Sequence, residues 1–433
     1  MESLKENRYS FGSTYSYIRQ SFEGVMDLRN SRCKYDIGSV LASGFALFSL
    51  KSSSVLNFVE RTTKESENIK AVYGLKEFVK ESQFRSSLDG VEEGELCEIQ
   101  VGLIHHIWNG GLLSKYRNLG KKWLQVTLDG VEHFNSTEVQ CPCCLSRKLK
   151  NGKTQYYHSL LAAVLVHPDL KEVLPLETES ILNCDGDTKN DCEQNAAKRL
   201  LKRLRADYPD WNILISADAL YACSPLVELL EELKFAYILN VKPDGHKSLF
   251  RQFEGRKARG LVTTHTVEEK EGIHHFQVAQ NLLLNGSATV RVHFMEYQYT
   301  NKKGKKTTFT WIFPLYLPMT TTCFMAYMRA ARARWKIENE TFNTLKNQGY
   351  NFEHNFGHGK QFLASNFALL MFLAFTVDQI QQIGCKIFKC IYTQINTKIK
   401  IWESLRAVFK IVDIPDMKTA FFNIIQLYAL KIE

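Results

Sequence analysis

Ile213-Leu214-Ile215-Ser216-Ala217-Asp218 is a short, β-prone run that stops on a carboxylate. An acidic side chain directly after a buried strand is costly unless solvent, a cation or a partner meets it. The arrangement also occurs upstream, where Trp123-Leu124-Gln125-Val126-Thr127-Leu128 runs into Asp129. A third acidic residue, Glu338, lies in Arg334-Trp335-Lys336-Ile337-Glu338-Asn339, in a stretch that reads as helix. Two strand-end carboxylates plus one on a later helix can together hold two divalent metals for phosphodiester chemistry. Taken singly, each aspartate reads more readily as a turn residue or helix cap, and Asp129-Gly130 is a fair turn by itself. The ordered set, not any one member, points to a site.

Around these runs the pattern alternates between strand and helix. Residues 122–129 alternate weakly and end on Asp-Gly, 141–153 form a Cys-rich basic turn, and 156–166 are nearly continuously apolar. Such a run is typical of a central strand covered on both faces. Residues 192–206 have helical spacing, 225–233 form a second helix and 236–241 another strand. Hairpin strands followed by alternating helix and strand predict an α/β fold with a mixed sheet flanked by helices. From about 242 to 320 the β-prone segments 261–267, 274–278, 288–294 and 307–313 are joined by charged turns, notably Asn301-Lys302-Lys303-Gly304-Lys305-Lys306. They predict an all-β insertion between the second aspartate and the glutamate. Residues 1–115 lack strand alternation, and 40–50 and 55–59 fit helical spacing, so this region is expected to be helical. From Thr321 the chain turns helical and mostly stays so to its end. The expected organisation is therefore 1–115, a helical N-terminal region; 116–241, the first part of a core carrying both aspartates; 242–320, a β-rich insertion; 321–380, the second part of the core with the Glu338 helix; and 381–433, a C-terminal helical region.

The chain of 433 residues is 45% hydrophobic, enough to bury a substantial core. At about 150 residues per domain, its length suggests roughly three domains. A net charge of +9, from 55 basic against 46 acidic residues, favours a polyanionic partner. Eleven cysteines are scattered without a framework, and Met1-Glu2-Ser3-Leu4-Lys5 starts no basic-then-apolar leader. A reduced, cytoplasmic compartment is the expectation. The longest apolar run, 367–377, is much shorter than the about 20 residues that span a bilayer and reads as a buried helix, with no membrane partner. No Walker-type phosphate loop, G-x-S-x-G elbow or nicotinamide fingerprint occurs.

Leu128-Asp129-Gly130, Ala217-Asp218-Ala219-Leu220-Tyr221 and Arg334-Trp335-Lys336-Ile337-Glu338, in this order and with a β insertion before the last, resemble the DDE transposases of bacterial insertion sequences, in the branch with an Arg-Trp-x-Ile-Glu helix. The resemblance covers roughly residues 120–380. It implies a ribonuclease H-like catalytic domain in which Asp129, Asp218 and Glu338 bind two Mg²⁺ (or Mn²⁺) ions. It also implies a double-stranded DNA partner, both element ends and target, and a homodimer in the DNA complex. Arg334 lies one turn before Glu338 and so shares its face; the resemblance implies that it and a later lysine, Lys346, hold DNA backbone. Arg332 and Lys336, beside the same site, are further phosphate-contact candidates. Two departures stand out. Lys346 follows Glu338 by eight residues where the family spacing is seven, and Ala331 occupies the place of a tyrosine that bears on a hairpin intermediate. Glu340 is the alternative third carboxylate. For the helical N-terminal region two roles stay open, contact with DNA ends and bracing of the core. A nuclease that cuts without joining, and an inactive DNA-binding relative, are the competing functional readings.

Cys141-Pro142-Cys143-Cys144 contains a C-x₂-C pair, and His354-Asn355-Phe356-Gly357-His358 an H-x₃-H spacing. Cys141, Cys144, His354 and His358 match the ligand type and count of a tetrahedral structural Zn²⁺ site, with His133, His158, Cys184 and Cys192 as substitutes. Buried free cysteines and loop histidines are the bland alternative. The basic residues Lys198, Arg199, Lys202, Arg203 and Arg205 are read as a solvated helix face, and Asp185, Asp187, Asp191 and Glu193 as a solvated acidic loop.

Overall fold

The computed structural model describes residues 7–27, 29, 33–186, 188–286 and 289–432. Residues 1–6 of the expected helical region, and Ser287 and Ala288 at the start of an expected strand, lie outside the described residues.

The N-terminal region is helical as expected: α1 Phe11–Gly24, α2 Ile37–Ser49, α3 Val55–Lys64, α4 Ser66–Tyr73, α5 Glu81–Asp89 and α6 Glu93–Asn109. Side-chain caps start several of them. Ser10 accepts from Ser13 N, Asp36 from Ser39 N and Ser54 from Asn57 N, each satisfying a backbone donor that the helix itself leaves unpaired. The strands follow: β1 Arg117–Asn118, β2 Trp123–Ser136, β3 Leu145–Lys148, β4 Thr154–His167 and β5 Leu170–Ile181. Helix α7 Lys189–Asp207 leads to β6 Ile213–Ala217, then α8 Ser224–Glu232, β7 Ala236–Asn240 and α9 Lys247–Ala258. Next come β8 Thr263–Glu269, β9 Gly272–Leu283, β10 Arg291–Asn301 and β11 Lys306–Phe313. The chain closes with α10 Thr321–Ala333, a π-helical segment Ile337–Phe342, α11 Asn343–Asn347, α12 Leu363–Gly384, α13 Lys386–Gln394, α14 Lys398–Ile411 and α15 Met417–Leu427.

The sheet is mixed, as predicted. β2 pairs antiparallel with β4, whose other edge takes β3 and β5, while β6 runs parallel to β2 and β7 parallel to β6. Residues 160–166 of β4 are buried throughout. β5 is a strand the sequence pattern does not announce. Pro175 interrupts it, and its register against β4 shifts at Ala163/Val164, consistent with the confinement of strand proline to edges and bulges. The insertion departs from an all-β unit in two ways. It opens on α9, and its strands form no separate sheet, because β11 pairs with β7 through Ile312↔Leu239 and so extends the same sheet through β10, β9 and β8. An aromatic ladder, Tyr297, Phe309 and Trp311, stacks at that junction.

Helix α12 holds the helical parts together. It packs against α1, α2, α5, α6, α13 and β5. By length and composition it could cross a membrane, but 94% of its apolar window is buried inside the protein, as expected for a core helix. Its Asp378 meets Lys51 Nζ at 2.6 Å, with both side chains buried.

Candidate active site

The parallel register of β2 and β6 pairs Thr127 with Ser216, so Asp129 and Asp218 each stand two residues beyond the same rung. Asp129 Oδ1 accepts from Gly130 N at 3.0 Å, and Asp218 Oδ1 accepts from Leu220 N at 2.8 Å. A buried amide, Gln125, brings the third element to this edge. Its Nε2 donates to Ser216 Oγ at 3.0 Å and to the Ala330 carbonyl of α10 at 2.7 Å.

Beyond α10 the chain tightens and then widens into the π-helical segment that carries Glu338, a local irregularity common at functional sites. Arg334 Nη1 lies 2.8 Å from Glu338 Oε1 and 3.7 Å from Asp129 Oδ2. The pair is not an ordinary surface ion pair, because the Arg334 side chain is only 8% exposed. Its Nε, also buried, has no hydrogen-bond partner among the described residues. The Asp129 carboxyl is pushed up to about 7, first by burial and next by the negative charge of Glu338, with Asp218 adding to the rise and Arg334 opposing it. Glu338 and Asp218 thus each lie within electrostatic reach of Asp129, and one buried guanidinium is shared by Asp129 and Glu338. Glu340 faces elsewhere; its charge acts on Lys336, Tyr392 and Lys398.

The other expected phosphate contacts divide. Lys336 donates to the carbonyls of Pro168 and Leu170, so its ammonium anchors the β4–β5 turn, a correction to its expected place beside a phosphate. Lys346 pairs with Glu353 at 3.0 Å and lines a surface cavity with Lys51, Asn57 and Arg406 rather than joining the three carboxylates. Arg332 is exposed and lies over the Phe309 ring of β11.

Two bland readings of charge also need correction. Arg199 bridges Glu179 and Asp185, Arg203 bridges Glu177 and Glu179, and Arg205 donates to the Leu233 carbonyl. These arginines stitch α7 to its neighbours instead of forming a solvated face. Asp185 is likewise engaged, while Asp187 and the Asp191 side chain lie outside the described residues. Glu193, expected in a solvated loop, is on α7 and accepts from Tyr221 Oη at 2.6 Å. A Cβ added at Gly130 would meet its carboxyl at 3.2 Å, so a fourth carboxylate stands beside Gly130 and within electrostatic reach of Asp218. Its pKa is raised, chiefly by burial, with Asp218 contributing. Helical spacing from Cys192 onward was the signal that could have placed Glu193 on a packed helix.

The cysteine and histidine candidates converge only in part. Cys141, Cys144, His158 and His358 place one ligand atom each within 4.8 Å of one another. His158, a substitute on sequence grounds, takes the place expected for His354. His354 is exposed and packs edge-on against Phe356. His133 stacks near His158 without joining the group, Cys184 is exposed, and Cys192 turns its sulfur toward the carbonyls of Asn183 and Gly186.

A mixed sheet flanked by helices, with Asp129 part-way along β2, Asp218 directly after the neighbouring β6 and the Arg334–Glu338 pair facing them, is consistent with the ribonuclease H-like class of α/β domain. Within that class, the family model described as transposase DDE domain matches residues 146–376, and the chain belongs to this family. Its family role is transposition, with DNA as substrate. Asp218 and Glu338 fall inside the matched residues, whereas Asp129 precedes them. None of the curated proteins compared matches the chain.

Proposed function

We propose that the protein is the transposase of a bacterial insertion sequence, acting on cytoplasmic DNA, that cleaves element ends and joins the freed 3′-hydroxyls to target DNA. The observation that carries this reading is the pairing of Asp129 and Glu338 with buried Arg334, with Asp218 within electrostatic reach of Asp129. Their donor set fits divalent metal. Hard carboxylate oxygens suit Mg²⁺ or Mn²⁺. Asp129, Asp218 and Glu338 would hold the ions, which supply activation of the attacking hydroxyl and charge stabilisation at the leaving oxygen.

The chain's own contributions follow from the geometry. In cleavage, a water oxygen bonds to phosphorus as the phosphorus–O3′ bond breaks, leaving a 3′-hydroxyl and a 5′-phosphate. In joining, that 3′-hydroxyl attacks a target phosphodiester and displaces its 3′ oxygen. Arg334 orients Glu338 and Asp129 and retains an uncommitted buried Nε for a phosphate oxygen. Exposed Arg332 on the adjoining helix adds a DNA-backbone contact. Lys346 contributes to DNA only by leaving Glu353. A substrate with two ends requires a dimer in the working complex.

Nicking of supercoiled plasmid and joining of pre-cut ends from the DNA flanking the gene, each with and without Mg²⁺ or Mn²⁺, test the proposal. Both activities are expected to need the metal and to be lost in Asp218→Ala with DNA binding retained. Unchanged metal-dependent nicking in that variant would overturn the assignment, and nicking without joining would make the protein a nuclease only.

A further inference from the structure

We infer that Cys141, Cys144, His158 and His358 form a tetrahedral Zn²⁺ site that locks the β2–β4 hairpin to the loop following the Glu338 segment. The two cysteines lie in the turn between β2 and β3, His158 is on β4, and His358 comes from the loop between α11 and α12. The sequence separation between Cys144 and His358 is 214 residues, so only the fold unites them.

Five of the six spacings among the four atoms are those of a coordination shell, and the sixth, between Cys141 and His358, is within 4.8 Å. Cys141 Sγ and Cys144 Sγ are 3.6 Å apart, and His158 Nε2 is 3.4 and 3.3 Å from them. His358 Nε2 lies 3.4 Å from Cys144 Sγ and 3.1 Å from His158 Nε2. Zinc–sulfur bonds of about 2.3 Å and zinc–nitrogen bonds of about 2.0 Å, arranged tetrahedrally, set ligand atoms roughly 3.3–3.8 Å apart. A disulfide is excluded, since its sulfurs would be about 2.05 Å apart.

The tautomer of His358 argues in the same direction. Its Nδ1 lies 2.8 Å from the Gly359 carbonyl, an acceptor, so Nδ1 carries the proton and Nε2 presents a lone pair to the cluster. Fixing a ligating histidine through its other nitrogen is a recurrent feature of metal sites. The His358 lone pair faces His158 Nε2 and the Cys144 sulfur, a donor set that one cation can bridge. Two soft sulfurs and two imidazoles suit Zn²⁺ rather than the hard ions proposed for the carboxylates. Binding displaces the thiol protons of Cys141 and Cys144 to solvent, with no redox change.

The site is distinct from the carboxylate edge but braces it. β2 carries Asp129, and the loop with His358 follows the segment with Glu338, so the ion would cross-link the two halves that must meet for chemistry. The full-length protein, purified without added metal, should contain a single zinc ion per chain by mass spectrometry, retained on exhaustive dialysis. Replacement by Co²⁺ should give the intense visible bands of a tetrahedral site with thiolate charge transfer. Cys144→Ser and His358→Ala should lose the metal, whereas His354→Ala, Cys143→Ser and Cys184→Ser should keep it. Should the Cys144 and His358 variants fail to fold, the Co²⁺ spectrum of the wild-type chain still decides. An octahedral or absent Co²⁺ spectrum, sub-stoichiometric zinc, or loss of zinc on His354→Ala would overturn the inference. Because these readouts involve neither DNA nor Mg²⁺, they stand or fall independently of the transposase reading.

Discussion

Asp129 is held where ionising it works against the fold. Its carboxyl is raised to about 7 by burial and by neighbouring Glu338, against about 3.9 when unfolded. The native state therefore binds this proton more tightly than the unfolded state. The stabilisation is present at acid pH and is lost as pH rises from about 4 through about 7. In buffer without divalent cation, the melting temperature of the wild type should fall relative to Asp129→Asn across that interval, by the equivalent of a few kcal/mol. Parallel melting profiles of the two proteins would show that Asp129 is not strained in this way. At this scale the sequence was informative about which carboxylates to watch, since each aspartate follows a β-prone run, although only Asp218 stands at the end of its strand and β2 continues past Asp129 to Ser136. The sequence carried the helical spacing of Glu193 but not that residue's approach to Tyr221 and Gly130, which depends on how α7 packs. It also left Glu338 and Glu340 open, because the choice turns on the rotation of a π-helical segment that no spacing rule encodes.

At the scale of elements, Gln125 does for α10 what no apolar residue could. One side-chain amide joins β2, β6 and the end of α10, and its oxygen accepts from Asn118 Nδ2 at 3.0 Å. Gln125→Leu would leave the Ala330 carbonyl and the Asn118 amide buried without these partners, at about 1–3 kcal/mol of stability. It should also reduce metal-dependent nicking more through kcat than through DNA affinity, because Arg334 and Glu338 lose their registry over the strand ends. Equal nicking at unchanged stability would show that α10 is positioned by packing alone. The same scale explains what pattern reading found and missed. β6 is legible because five consecutive residues are buried. β5 is not, because Pro175 and three acidic residues interrupt its alternation, two of which, Glu177 and Glu179, are neutralised in space by arginines from α7. His158 took the place of His354 for a similar reason, since H-x₃-H is a local spacing and the actual partners meet only across the sheet.

Across the whole molecule, the insertion continues the sheet of the carboxylates, and α12 ties the N-terminal helices to the same core. Continuation of β7 by β11 was beyond sequence reading, because strand order depends on contacts between segments some 70 residues apart. The result is a frame in which two strands and one helical segment, drawn from distant parts of the chain, present acidic groups at one edge. The most direct test is a crystal structure of the protein with Mn²⁺, located by its anomalous scattering. Manganese bounded by Asp129, Asp218 and Glu338, with ligand distances of about 2.0–2.3 Å, is the predicted result. Manganese bound elsewhere, with Asp129 and Glu338 still paired to Arg334, would contradict it.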